Sequence, residues 1–203
     1  MSKTSYNKSW GNIKGGHIDN LNINGLCNVD DDVFCDTILV SGTANFEGNV
    51  HSDIIKINGV VNIEGDVKAD SIEVNGVLNA QNIEAEKFTI SGIVKVDGDI
   101  NAENLEAKSI CLFNNLYGEN IVIKRGPFKG TLNVNINGQG DIKTKLSVFN
   151  EIEATSIELS HITGKRISGE HIVLGENVEI DVVEYTKTIS LNPKSKIKTI
   201  IKL

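Results

Sequence analysis

The chain has 203 residues, 39% of them hydrophobic and 23% charged, which is enough to bury a core and too apolar for wholesale disorder. Nineteen glycines, only 5% aromatics and an apolar set dominated by Ile and Val make a composition of strands and turns rather than of helices. The net charge of −7 disfavours nucleic acid as a general partner, because phosphate backbones are held by clustered Lys and Arg.

Residues 1–16 carry three lysines and no acid, lack the apolar stretch of a secretory signal, and read as a flexible basic N-terminal arm. Over residues 17–107 the net charge is −13 and a short unit recurs. It reads Leu21-Asn-Ile-Asn-Gly25, Ile38-Leu-Val-Ser-Gly42, Ile55-Lys-Ile-Asn-Gly59, Ile72-Glu-Val-Asn-Gly76 and Phe88-Thr-Ile-Ser-Gly92, with glycines 17, 17, 17 and 16 residues apart. Flanking columns keep the register. Two residues after each glycine stand Cys27, Ala44, Val61, Leu78 and Val94. Four after stand Val29, Phe46, Ile63, Ala80 and Val96, and ten after come small residues, Cys35, Ser52, Ala69 and, allowing for the one deletion, Ala85 and Ala102.

Alternation within each unit puts every second side chain on one face of a short strand. Three such strands with bends between them make a triangular coil of about 17 residues, and stacked coils pair each strand in parallel with the same segment of the next. The fold class is therefore all-β: a single-stranded parallel β-helix, or solenoid. Helical repeats need units of about 33 residues or more. Glycine at the first bend is expected to supply positive φ. Cys27 and Cys35 read as packing residues. Together with Cys111 they form an odd set without metal-ligand spacing, as expected of reduced thiols in a cytoplasmic protein.

The regular coils are read over 17–113. Residues 114–150 lose register, with Pro127, several glycines and an alternating Leu132, Val134, Ile136 before Asn137-Gly138, which fits an irregular coil or a hairpin excursion. Strand pattern returns over 151–192 at Ile157-Glu-Leu159, Ile172-Val-Leu174, Val178-Glu-Ile180 and Ile189-Ser-Leu191. Roughly ten coils spaced about 4.8 Å apart make a rod near 50 Å long. Residues 193–203 are a basic and apolar C-terminal strand or tail, in which Ile197, Thr199, Ile201 and Leu203 fall on one face by simple alternation and are the candidate self-association residues.

Units such as Ile55-Lys-Ile-Asn-Gly-Val-Val-Asn-Ile-Glu-Gly-Asp-Val-Lys-Ala69 followed by Asp70-Ser-Ile-Glu-Val-Asn-Gly76 resemble those of the bactofilins, bacterial polymer-forming cytoskeletal proteins. Val178-Glu-Ile-Asp-Val-Val-Glu-Tyr185 looks like the end of Firmicute-type members. The resemblance implies a right-handed β-helix that assembles end to end into filaments without nucleotide. It also implies a cytoplasmic protein, peripheral to the inner face of the membrane. Its partners are further copies of itself and membrane-associated or envelope proteins, and it scaffolds envelope or motility-related structures. Many members carry a short apolar N-terminal membrane motif, which residues 1–16 lack.

Chemistry is sparse. No HExxH, CxxC, Walker loop or nucleophile elbow occurs, so no catalytic residue, metal, cofactor or small-molecule substrate is expected, and the protein is read as not an enzyme. His161 and His171 lie ten apart but outside any hexapeptide pattern. The most regular polar feature is an acidic column of Asp19, Asp36, Asp53, Asp70, Glu86 and Glu103, read as solvent-facing corner residues. The alternative function is a non-polymerising β-helix scaffold presenting this column to a basic partner. A β-helix enzyme is less favoured, because 17-residue coils leave no room for a catalytic groove.

Overall fold

The computed structural model of the chain describes residues 5–124, 132–135, 141–144 and 147–203. Its first strand, β1 (Ser5–Val40), runs continuously around the first coils. Short and long strands then alternate: β2 (Thr43–Phe46), β3 (Val50–Ile57), β4 (Val60–Ile63), β5 (Val67–Val74), β6 (Val77–Ala80), β7 (Ile83–Ile90), β8 (Ile93–Val96), β9 (Asp99–Ala107), β10 (Cys111–Leu112) and β11 (Asn115–Ile123). After β12 (Leu132–Asn135) and β13 (Asp141–Thr144) come β14 (Ser147–Leu159), β15 (Ile162–Leu174), β16 (Val178–Leu191) and β17 (Lys196–Lys202). There is no helix among the described residues, and the strands of the coils join in one parallel sheet wound into a solenoid of about nine turns.

Pairing follows the repeat. Ile38 lies beside Ile55, Ile55 beside Ile72, Ile72 beside Phe88, and Phe88 beside Leu105. Ala44, Val61, Leu78 and Val94 form a second inward column on the short strands. These side chains, with Val29, Phe46, Ile63 and the corresponding residues of later coils, are buried in one continuous core along the axis. A single coil cannot shield its own inner face, so the stack is the folding unit.

The repeat glycines are where the structure departs from expectation. Positive φ occurs at Gly11, Gly16, Asp31, His161 and Asn177, and at none of Gly25, Gly42, Gly59, Gly76 or Gly92. Their constraint is close approach. A Cβ on Gly59 would stand 1.8 Å from the carbonyl oxygen of Gly42, and one on Gly76 would stand 1.9 Å from that of Gly59. The glycines stack, each seated on the backbone of the one below.

Residues 5–16, read as a flexible arm, lie within β1, because Ile13 is buried in the axial core and Tyr6 packs against it. The coils also continue into the stretch read as irregular. The ladder β9–β11–β14 is unbroken, with Asn115 beside both Asp99 and Glu151. This return spans 36 residues instead of 16 or 17, and between the coil strands β12 and β13 pair antiparallel. Pro127, Ile136, Asn137 and Gly138 lie outside the described residues. Beyond the excursion, Gly164 sits under the ring of Phe149, which stacks on Phe113 with centroids 5.9 Å apart.

Candidate self-association surfaces

The last coil is built on β17, which pairs with β16 on one side: Ile180 with Ile197, Val182 with Thr199, Val183 with Ile200 and Glu184 with Ile201. Simple alternation would keep Ile197, Thr199, Ile201 and Leu203 on one face, and the structure corrects this. The chain turns a corner at Lys198, as the preceding coils do at Asp181 and Lys165, and the corner residue shifts the parity. Ile200 therefore continues the buried column Ile152–Ile167–Val183, while Thr199 and Ile201 point outward. Ile200 is 45% exposed, with no further rung on it among the described residues, and Leu203 is 67% exposed. Ile197 and Ile189, half-buried, pack against the core. Lys198 is held above its usual pKa by a hydrogen bond and charge pairing with Asp181. At the other end Trp10 is 81% exposed.

The acidic column runs along one corner. Asp36, Asp53, Asp70, Glu86 and Glu103 are exposed, and with Asp19 they line one wall of an open groove down the rod. The groove floor is the small column Cys35, Ser52, Ala69, Ala85, Ala102. Small side chains are needed there because the bend closes over them. The polar members bond within it: Ser52 Oγ lies 3.0 Å from the carbonyl oxygen of Ile54 and 3.2 Å from that of Asp36, with one proton to donate between them, and Cys35 Sγ contacts those of Thr37 and Asp19. The opposite wall begins with stacked rings, His17 on Phe34 on His51, each pair 5.0 Å apart.

Burial raises the thiol pKa of Cys27 and Cys35, and raises that of Cys111 to about 12, so the sulfurs stay protonated and act as packing groups. His161 and His171 are not brought together. The Nε2 of His161 lies 3.0 Å from Asn177 Nδ2, whereas Nδ1 of His171 lies 2.8 Å from Thr188 Oγ1 on a different stretch of the coil. No group of three His, Cys, Asp or Glu side chains is placed to hold a metal among the described residues. No helix among them is long and apolar enough to cross a membrane.

Two further outer columns escaped the sequence reading, although both lie at fixed offsets from the repeat glycines. One residue after each glycine are Leu26, Thr43, Val60, Val77 and Ile93, aligned on the short strands. Three after are Asn28, Asn45, Asn62 and Asn79, each amide donating to the one below at 3.0, 2.9 and 2.7 Å. At the next corner a second ladder alternates acid and amide: Asp32, Asn49, Asp66, Asn82, Asp99, Asn115. The Nδ2 groups of Asn49, Asn82 and Asn115 donate to the carboxylates of Asp32, Asp66 and Asp99 at 3.1, 2.8 and 2.8 Å. The Oδ1 atoms of Asn49 and Asn82 accept the backbone N–H of Asp66 and Asp99.

The described residues form a stack of parallel coils with Ile200 and Leu203 exposed on the last rung. No curated protein and no solved structure matches the chain. Residues 34–117, the most regular coils, match the family model of bactofilin, described as polymer-forming cytoskeletal. The match supports the bactofilin resemblance over this stretch of the β-solenoid.

Proposed function

We propose that the protein polymerises end to end, rod upon rod, without nucleotide or metal, as a non-enzymatic scaffold for envelope or motility-related structures on the cytoplasmic side of the membrane. The observation that carries this reading is the last rung. Ile200 lies at the end of the inward column Ile152–Ile167–Val183 with nearly half its surface exposed, and no strand among the described residues pairs with the outer edge of β17. A parallel coil stacked there would satisfy the backbone groups of that edge and bury the apolar end in the same step. The exposed Trp10 and the half-buried Tyr6 give the opposite end an aromatic surface for the same purpose. The family description supports the cytoskeletal part of the reading.

Electron microscopy and light scattering of the purified chain test this. Filaments are expected in physiological salt, with and without ATP, GTP or a chelator. Ile200→Lys is expected to reduce scattering at least tenfold while leaving the melting curve in place, since the side chain is already half in water. A chain that stays monodisperse at high micromolar concentration overturns the reading. In that case the acidic wall of the groove favours the alternative, a scaffold for an extended basic partner. Removing residues 194–203 separates the roles of β17. Lost assembly with intact folding marks the strand as a subunit contact, and lost folding marks it as a cap of its own chain.

A further inference from the structure

The corner residues that precede the repeat glycines are Asn24, Ser41, Asn58, Asn75 and Ser91, all exposed. An Asn–Gly pair is chemically labile, because glycine has no side chain to shield the nitrogen that attacks the carboxamide carbon before it. The glycine is not exchangeable here. A Cβ on Gly25, Gly59 or Gly76 would stand 1.7, 1.8 or 1.9 Å from a carbonyl oxygen of the coil below, so the labile pair persists wherever Asn precedes it. Three such pairs, Asn24-Gly25, Asn58-Gly59 and Asn75-Gly76, lie in the described coils, and Asn137-Gly138 lies outside the described residues. Their local sequences are close to identical, with Ile or Val before the pair and Leu or Val after it.

The fold gives the three asparagines different surroundings. Asn24 lies inside the continuous strand β1, and its Nδ2 donates to Asn7 Oδ1 at 3.1 Å. Asn75 lies in a bend, and its Nδ2 donates to Asn58 Oδ1 at 3.1 Å and to Glu73 Oε1 at 3.0 Å. In both, the nitrogen that must leave is tied down. Asn58, also in a bend, is the reverse case. The corner below it holds Ser41 instead of an amide, and no acceptor among the described residues takes its Nδ2. Its carbonyl oxygen accepts the Asn75 N–H, which draws electron density from Cγ and faces the atom on which negative charge gathers during attack. We infer that Asn58 is a spontaneous modification site, at which the folded chain converts its own amide to aspartate and isoaspartate with water as the only other reactant.

The Gly59 nitrogen gives up its proton and bonds to Asn58 Cγ. The Cγ–Nδ2 bond breaks, Nδ2 takes up a proton and leaves as ammonia, and a succinimide ring remains. Water then opens the ring on either side of its nitrogen. Cleavage at Cγ restores the original main chain and leaves an aspartate. Cleavage at the main-chain carbonyl carbon gives isoaspartate, whose chain runs through Cβ and Cγ. One water enters, one ammonia leaves, and nothing is oxidised or reduced. The two products fit the corner differently. The aspartate keeps an oxygen for the Asn75 N–H and leaves the main chain unchanged. The isoaspartate puts an extra methylene into the main chain directly before Gly59, which is seated on Gly42 and carries Gly76 with no slack on either side. The isoaspartyl product therefore forces the glycine stack open, and the coil at Asn58 is where an ageing rod fails first.

Peptide mapping by mass spectrometry tests this on the full chain, incubated at mildly alkaline pH and sampled over time. In the folded chain Asn58 is expected to convert at least about fivefold faster than Asn24 or Asn75, the worth of one neutral hydrogen bond. In concentrated urea the three rates are expected to converge, because the local sequences match. Asn75→Ser gives that position the residue the corner already uses at Ser41 and Ser91, removes the donor, and is expected to slow Asn58 to the rate of Asn24. On ageing, the parent is expected to lose its cooperative melt in step with isoaspartate at position 58. Asn58→Ser aged alongside is expected to keep its melting curve, and Asn58→Asp, with its main chain unlengthened, to melt like the fresh parent. Equal rates at the three asparagines in the folded chain, an Asn58 rate unchanged by Asn75→Ser, or an Asn58→Ser chain that loses its melt as fast as the parent overturns the proposal.

Discussion

Gly59 and Gly16 show why one residue type means two things in this chain. Gly16 has φ of +107° with open space around a notional Cβ, so Ala there meets backbone strain of about 1–2 kcal/mol and nothing else. Gly59 has an ordinary backbone but leaves 1.8 Å between a notional Cβ and the carbonyl oxygen of Gly42. No flexible side chain can move aside to relieve that contact. Ala at 59 must force two coils apart, which is expected to cost about 3 kcal/mol or more. Thermal melts of Gly59→Ala and Gly16→Ala check this. The first should fall far below the second, and equal melting temperatures would mean that stacking distance is not what selects glycine.

At the scale of the elements, the acid–amide ladder shows how neighbouring strands share a corner without repulsion. Asn82 stands between Asp66 and Asp99, donates to the first and accepts the backbone N–H of the second. Asn82→Asp replaces a donor by a third carboxylate and is expected to cost about 1–2 kcal/mol at neutral pH. Flanked by two negative charges, the new carboxyl has a folded pKa above its unfolded value of about 3.9. The folded state then holds the proton longer, so the deficit against the parent is absent below that value and grows as pH rises through the folded pKa. Urea titrations of both chains at pH 4 and pH 7 measure it. A difference that does not shrink towards low pH would sink the electrostatic account. The strands themselves were legible in the sequence because their inward residues recur every 16 or 17 positions, as at Ile55, Ile72 and Phe88. The ladders were equally periodic but hidden, because an Asn three residues after a glycine looks like turn chemistry until its partner one coil away is known. The face of β17 was misjudged for a different reason. Alternation holds within a strand, and the corner at Lys198 falls inside this one. The 36-residue return was not readable either, since its register is fixed by contacts of Asn115 and Leu116 that no local pattern encodes.

For the molecule as a whole, stability is a chain of nearest-neighbour terms along one axis. Ile57 is buried in a middle coil with Val40 and Val74 as its partners in the column. Ile57→Asp puts an unpaired charge into that column, at a cost of several kcal/mol against a total of about 5–15 kcal/mol for a typical domain. Because the column is continuous, the damage is expected to spread beyond one site and remove the cooperative transition seen by circular dichroism. A variant melting like the parent would place Ile57 outside the core.

The long return between β11 and β14 has a consequence for the order of folding. Neighbouring coils before it close loops of 16 or 17 residues, and this one closes 36. The extra loop-closure entropy is about 0.7 kcal/mol, small for stability but concentrated on a single step. As the chain leaves the ribosome, the coils up to Ile123 can zip up one after another on the template already formed. Zippering then halts until Ser147 and the residues after it arrive, and starts again from a second nucleus on the edge of β11. The rod should therefore fold in two strokes, with an intermediate whose amides are protected from hydrogen exchange in β3, β5, β7 and β9 and still open in β14, β15 and β16.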